Sequence, residues 1–182
     1  MTNDSAQTAV TILSGGLGAG KTTVLNHLLT SAEAREIAVL VNDMGALNVD
    51  ADLLRDQDGL SAAAGEVTEL SNGCICCELR DDLETAVIKL AREHSFEYLM
   101  VEPSGISEPM PVAKLFTGGS PAAARYSLSG VVTVIDTARF AEMYLDTDTS
   151  TSHVTQREKG DRPLTQVLIE QVESADVIIL NK

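Results

Sequence analysis

Gly15, Gly16, Leu17, Gly18, Ala19, Gly20, Lys21, Thr22 and Thr23 follow directly on the β-branched run Thr8-Ala-Val-Thr-Ile-Leu-Ser14. The pattern is Gly-x-x-x-x-Gly-Lys-[Ser/Thr], with a strand before it and a helix after it, the setting in which this loop cradles phosphate. Glycines let the backbone turn successive N–H groups inward onto phosphate oxygens. A helix beginning near Gly20 adds the positive end of its dipole. Lys21 brings a point charge to the outer phosphates, and the Thr22 hydroxyl is placed to ligate Mg²⁺. The loop therefore predicts a nucleoside triphosphate as ligand and constrains the fold to an α/β sandwich around it.

Two periodicities alternate along the rest of the chain, as a parallel sheet covered by helices requires. Val10–Leu13, Ile37–Val41, Tyr98–Val101, Val131–Ile135 and Val177–Leu180 are short, dense in Val, Ile and Leu, and lack polar alternation, so all five read as buried parallel strands. Leu79, Leu83, Val87, Leu90 and Ala91 mark the apolar stripe of a helix over 79–93. Leu164, Val167, Leu168 and Val172 mark another before the last strand. The fold class is α/β: a three-layer phosphate-loop NTPase fold with a mostly parallel sheet flanked by helices. The polar stretch 146–161, with His153, reads as a surface loop and a solvated histidine.

With 182 residues and 44% hydrophobic content, the chain is long enough for one domain with a sizeable core. Thirteen Lys plus Arg against 27 Asp plus Glu leave a formal charge of −14. Nucleic-acid binding runs on clustered cations, so that partner is excluded, and the acidic surface reads as a solubility device. The N-terminus lacks the basic-then-apolar layout of a signal peptide, and no apolar run reaches the roughly 18 to 20 residues that span a bilayer. A cytoplasmic protein with reduced thiols and no membrane partner is expected.

Reduced thiols matter because all three cysteines, Cys74, Cys76 and Cys77, fall within four residues of one another. They lie between a strand-like segment (66–70) and the helix starting near Leu79. Such a cluster can converge on one soft or borderline cation, with Gly73 freeing the backbone and the helix N-terminus favouring thiolates. Three thiolates leave a fourth tetrahedral position open, which suits a site that must release its metal. Zn²⁺ is the default ion, and Co²⁺ or Ni²⁺ are compatible with the ligand type. A redox pair of Cys74 and Cys77, or three inert buried thiols, are the other readings of the same residues.

Two further segments bear on the phosphate loop. Glu102 ends the strand 96–101 at the ligand edge of an α/β sheet, where its carboxylate can hold Mg²⁺ directly or through water. Gly105, two residues beyond Pro103, can bring a backbone N–H to the γ-phosphate. The terminal Asn181-Lys182 follows the last strand as the opening of the guanine-reading motif Asn-Lys-x-Asp does, the Asp lying beyond the last residue. The chain thus reads as the N-terminal part of a longer protein.

Taken in order, the loop 15–23, Val41-Asn-Asp-Met-Gly45 with Asp50, Ser71-Asn-Gly-Cys-Ile-Cys-Cys77, Glu102-Pro-Ser-Gly105 and Asn181-Lys182 strongly resemble the CobW-like metallochaperone GTPases, cousins of UreG and HypB. The likeness spans nearly the whole chain, and Cys-x-Cys-Cys is its most specific part. It implies a GTP-binding and GTP-hydrolysing protein that uses GTP and Mg²⁺ to deliver Zn²⁺ or Co²⁺ to a client metalloprotein. Residues 1–182 would be its nucleotide-binding domain, cut short at the C-terminal end, with the family's usual second domain absent. The implied roles are phosphate binding by residues 15–23, catalysis by Lys21 and Glu102, and Mg²⁺ placement by Thr22 and Glu102. Gly105 would contact the γ-phosphate, Asn181 and Lys182 the guanine, and Cys74, Cys76 and Cys77 the cargo metal. Where the family often reads Glu-Phe-Gly-Glu, this chain has Asp43-Met44-Gly45-Ala46. Ala46 cannot ligate, so Asp43 and Asp50 are the acidic candidates for a fourth ligand. The Asp-Met form resembles a subgroup linked to zinc homeostasis and nitrile hydratase activation, which favours zinc. A nucleotide-dependent assembly or regulatory factor with redox or structural cysteines is the alternative.

Overall fold

A computed structural model describes residues 7–30, 37–41, 67–69, 78–94, 96–145 and 164–182. Six strands alternate with helices: β1 (Thr8–Gly15), α1 (Lys21–Thr30), β2 (Ile37–Val41), β3 (Val67–Glu69), α2 (Glu78–Glu93), β4 (Tyr98–Glu102), α3 (Pro109–Ala113), β5 (Tyr126–Asp136), α4 (Thr137–Leu145), α5 (Leu164–Glu173) and β6 (Val177–Asn181). The strands form one sheet in the order β3-β2-β4-β1-β5-β6. Every pairing is parallel. This is the three-layer α/β architecture expected from the alternating periodicities.

Strand alternation sorts the core onto two faces. Val10, Ala38, Leu40, Leu99 and Val101 pack with Leu83, Val87 and Leu90 of α2 and with Leu115, Phe116 and Tyr126. Leu13, Val39, Met100 and Val134 pack on the other side with Ala19 and with Leu25 and Leu29 of α1. Leu83, Val87 and Leu90 keep the i, i+4, i+7 spacing that makes one helical stripe. The β1–β5 ladder skips Ser129, pairing Val10 with Leu128 and Thr11 with Gly130. The Asp176 carboxylate accepts from the Val131 N–H at 2.8 Å beside this bulge, tying the start of β6 to β5.

Three sequence expectations are corrected. Within residues 1–182 the last strand is not buried: Val177, Ile178 and Leu180 are 53%, 44% and 71% exposed, with β5 as the neighbour of β6 among the described residues. β5 begins at Tyr126, earlier than the apolar run alone indicates. Two helices went unread, α4 and the short α3, which starts on Pro109, a residue pre-set for the first helical turn. The cysteine cluster, the segment 42–50, the polar stretch 146–161 and His153 lie outside the described residues.

Candidate functional site

Because all strands run the same way, their C-terminal ends share one edge of the sheet, where Gly15, Glu102, Asp136 and Asn181 stand. β1 leads into the loop through Gly15, whose φ is +137° and whose missing β-carbon would lie 2.3 Å from the Val134 carbonyl oxygen. Only glycine can pass β5 that closely. The Ala19 N–H donates to the Gly16 carbonyl at 3.1 Å, and Val24 N–H donates to Gly20 at 3.0 Å as α1 begins. Ala19 is buried in the α1-side core and anchors the loop, while Leu17 at its crest is 72% exposed.

Lys21, the first residue of α1, is buried. Its ammonium donates to the Gly15 carbonyl at 3.1 Å and to Gly16 at 3.3 Å, and it stands 3.9 Å from Glu102 Oε1. Glu102 is buried too, so the two charges offset each other's desolvation at the base of the loop. Thr22 and Thr23 follow Lys21 in the first turn of α1, Thr22 half-buried and Thr23 exposed.

Beyond Glu102 the chain makes a turn closed by the Ser107 N–H on the Ser104 carbonyl at 2.9 Å. Gly105 in this turn lies against the phosphate loop. A β-carbon on it would sit 2.7 Å from the Leu17 nitrogen.

The far side of the loop is held by side chains from β5, α4 and β6. Three consecutive carbonyls are each engaged: Leu17 by the Arg139 guanidinium at 3.3 Å, Gly18 by the Lys182 ammonium at 2.6 Å, and Ala19 by the Asn181 amide at 2.8 Å. Asp136 organises two of these donors. One carboxylate oxygen caps α4 by accepting the Arg139 N–H at 3.1 Å, and the other accepts from Lys182 at 3.2 Å. The Arg139 backbone bond first, with Lys182 adding to it, holds the Asp136 carboxyl below the ordinary carboxylate range. The Thr137 hydroxyl donates to the Lys182 carbonyl.

Of the residues singled out in the sequence, Gly15 to Lys21, Glu102, Gly105, Asn181 and Lys182 thus converge on one end of the sheet. Cys74, Cys76 and Cys77 are outside the described residues. Among the described residues no group of three His, Cys, Asp or Glu could hold a metal ion. Also among them, no helix is long and apolar enough to cross a membrane. Sequence reasoning missed Asp136, Arg139 and Gln171. Asp136 carried a signal, a carboxylate ending a buried parallel strand with a helix behind it. Gln171 carried another, a polar residue four positions after Val167 inside an apolar stripe.

Comparison with known proteins gives the family and the fold. The profile of the CobW/HypB/UreG nucleotide-binding domain matches residues 9–182. The zinc-regulated GTPase metalloprotein activator 1 of Dictyostelium discoideum is 41% identical over 186 residues, covering 95% of this chain and 39% of that protein. The zinc chaperone CobW of Pseudomonas aeruginosa is 36% identical over 190 residues, covering 97% and 49%. The crystal structure of the Zn(II)-bound YjiA GTPase from E. coli superposes with a TM-score of 0.59 at 25% identity, covering 97% of this chain and 49% of that one. The chain spans half or less of the length of these curated relatives. It belongs to the CobW/HypB/UreG family, in the nucleotide-binding domain that the family shares.

Proposed function

We propose that this chain is the GTP-binding and GTP-hydrolysing domain of a cytoplasmic metallochaperone that carries zinc, or cobalt, on Cys74, Cys76 and Cys77 and passes it to a client metalloprotein. The observation that carries the reading is the convergence of the loop 15–21, Glu102, Gly105 and Asn181-Lys182 on one sheet edge. The residues fit a nucleotide with Mg²⁺. With the carbonyls of Leu17, Gly18 and Ala19 engaged from outside, the loop is braced in the shape that lets backbone amides face an anion. Lys21 and Glu102 supply a cation for phosphate and a carboxylate for Mg²⁺ at the same place.

In this account Lys21 exchanges its bonds to Gly15 and Gly16 for the outer phosphates, and the start of α1 adds its dipole. Thr22 and Glu102 would hold Mg²⁺, which would supply neutralisation of phosphate charge. The Gly105 N–H contacts the third phosphate, and Asn181 and Lys182 line the pocket for the base while bracing the loop. The metal cargo is the substrate of the thiolate cluster. The names of the relatives, zinc chaperone and zinc-regulated GTPase metalloprotein activator, support zinc as that cargo.

Metal analysis of the thiol-reduced protein, with and without GTP and Mg²⁺, tests the proposal. Stoichiometric Zn²⁺ whose affinity changes with GTP is expected. Because linkage is reciprocal, Zn²⁺ must change GTP affinity by the same factor. Equal GTP affinities with and without Zn²⁺ remove the switch and leave the cysteines to a structural or redox role.

A further inference from the structure

Gln171 lies in α5 and is 1% exposed. Helix stripes bury apolar groups because a buried amide must find all its partners within the protein. Gln171 finds them unevenly. Its Nε2 donates to the Gly105 carbonyl at 3.2 Å and the Ser107 carbonyl at 3.0 Å, while its buried Oε1 has no hydrogen-bond partner among the described residues. An orphaned buried acceptor costs stability, which the two bonds made by Nε2 offset.

The two carbonyls explain its place. They belong to the turn after Glu102, closed by the bond from Ser107 to Ser104, and a β-carbon on Gly105 of that turn would sit 2.7 Å from the Leu17 nitrogen. The same helix reaches the phosphate loop directly: a β-carbon on Gly16 would lie 3.0 Å from Leu168 Cδ2. Gln171 is itself fixed from the sheet, its carbonyl accepting from the Thr133 hydroxyl at 2.9 Å. One unbroken segment, 164–182, therefore meets the site at the loop through Leu168, at the Gly105 turn through Gln171, and at the loop's outer carbonyls through Asn181 and Lys182.

We infer that Gln171 is a positioning residue for the third phosphate, holding the Gly105–Ser107 turn against the phosphate loop so that the Gly105 N–H stands ready for that group. The inference rests on the GTP reading above and deepens it. On that reading a diphosphate lacks the group that the Gly105 N–H would meet, so the loss of Gln171 separates the two nucleotides.

The test is titration of the full chain and of Gln171→Met with GDP and with a non-hydrolysable GTP analogue, both with Mg²⁺. Met keeps the length and removes the donor. Affinity for the GTP analogue should fall about tenfold, with GDP unchanged within about twofold. Gln171→Leu also removes the donor without adding an ionisable group, and should behave like Met. Equal changes for both nucleotides, or none, overturn the inference. If the Gln171 variants fail to fold, Thr133→Val, which removes only the bond from the sheet to the Gln171 carbonyl, is read by the same ratio. An analogue affinity reduced about threefold with GDP constant is then expected, and equal shifts overturn it. A parent protein that binds neither nucleotide overturns the GTP reading and this inference with it. A parent that binds both, with no selective loss in the variants, overturns this inference alone.

Discussion

The Asn181 amide donates to the Ala19 carbonyl at 2.8 Å, joining the end of β6 to the phosphate loop across 162 residues of sequence. The bond makes a residue of the expected base pocket also a strut of the phosphate pocket. Asn181→Ala should therefore weaken GTP and GDP alike, by about fivefold, near the 1 kcal/mol of a typical hydrogen bond. Titration with fluorescent nucleotides measures both. A loss confined to GTP would mean that Asn181 does not brace the loop.

Gly15 and Gly18 separate steric contact from backbone strain. Both have positive φ, +137° and +75°. A β-carbon on Gly15 would meet the Val134 carbonyl at 2.3 Å, inside a strand ladder that cannot yield, whereas one on Gly18 meets nothing within 4 Å. Gly18→Ala should cost only left-handed strain, about 1 kcal/mol. Gly15→Ala should cost about 3 kcal/mol or more, strain and clash together. Urea midpoints of the two variants check the order, and similar midpoints would contradict it.

How far the sequence led depends on whether a signal was local. The loop 15–23 and the stripes of α2 and α5 were legible because each is written in consecutive or helically spaced residues. Asn181-Lys182 was legible as a dipeptide after the last strand. Its bonds to Ala19 and Gly18 were not, because they exist only once the order β1-β5-β6 is formed. Arg139 is similar: nothing near it in sequence indicates that its guanidinium reaches the Leu17 carbonyl. β6 shows the converse limit. Apolar density in Val177–Leu180 reads as burial, yet sheet position decides exposure, and among the described residues β6 pairs on one side, with β5.

Tyr126 gives the fold an alkaline limit. Its phenol donates to the Val87 carbonyl at 2.7 Å, and its ring stacks near Phe96 and meets Phe116 edge-on. Burial pushes its pKa from 10.0 up to about 12, against a small opposing pull from Arg125. The raised value means that folding favours the neutral phenol. Its contribution is fully present below pH 10 and is lost as pH rises toward about 12, where the unfolded chain ionises first. Tyr126→Phe removes this dependence. The parent should lose stability relative to that variant between pH 10 and about 12, by chemical denaturation at stepped pH. Parallel pH profiles would exclude Tyr126 as the cause.

Lys21 carries the sharpest prediction for the nucleotide. Its ammonium is held at the loop base by the Gly15 and Gly16 carbonyls, 3.9 Å from the Glu102 carboxylate. Lys21→Ala removes the charge proposed for the outer phosphates and leaves Glu102 buried without that cation. Triphosphate binding should weaken by about 2 to 3 kcal/mol, the scale of lost charged hydrogen bonds, and diphosphate binding by less. The apo variant should also be less stable than the parent, because a buried carboxylate has lost its counter-charge. Lys21→Ala/Glu102→Gln should recover part of that stability without recovering GTP affinity. Calorimetric titration and thermal melts of the three proteins give both quantities. Normal GTP binding by Lys21→Ala would contradict the phosphate-loop assignment itself. Recovery of GTP affinity in the double variant would show that the loss came from the stranded Glu102 charge and not from a missing phosphate contact.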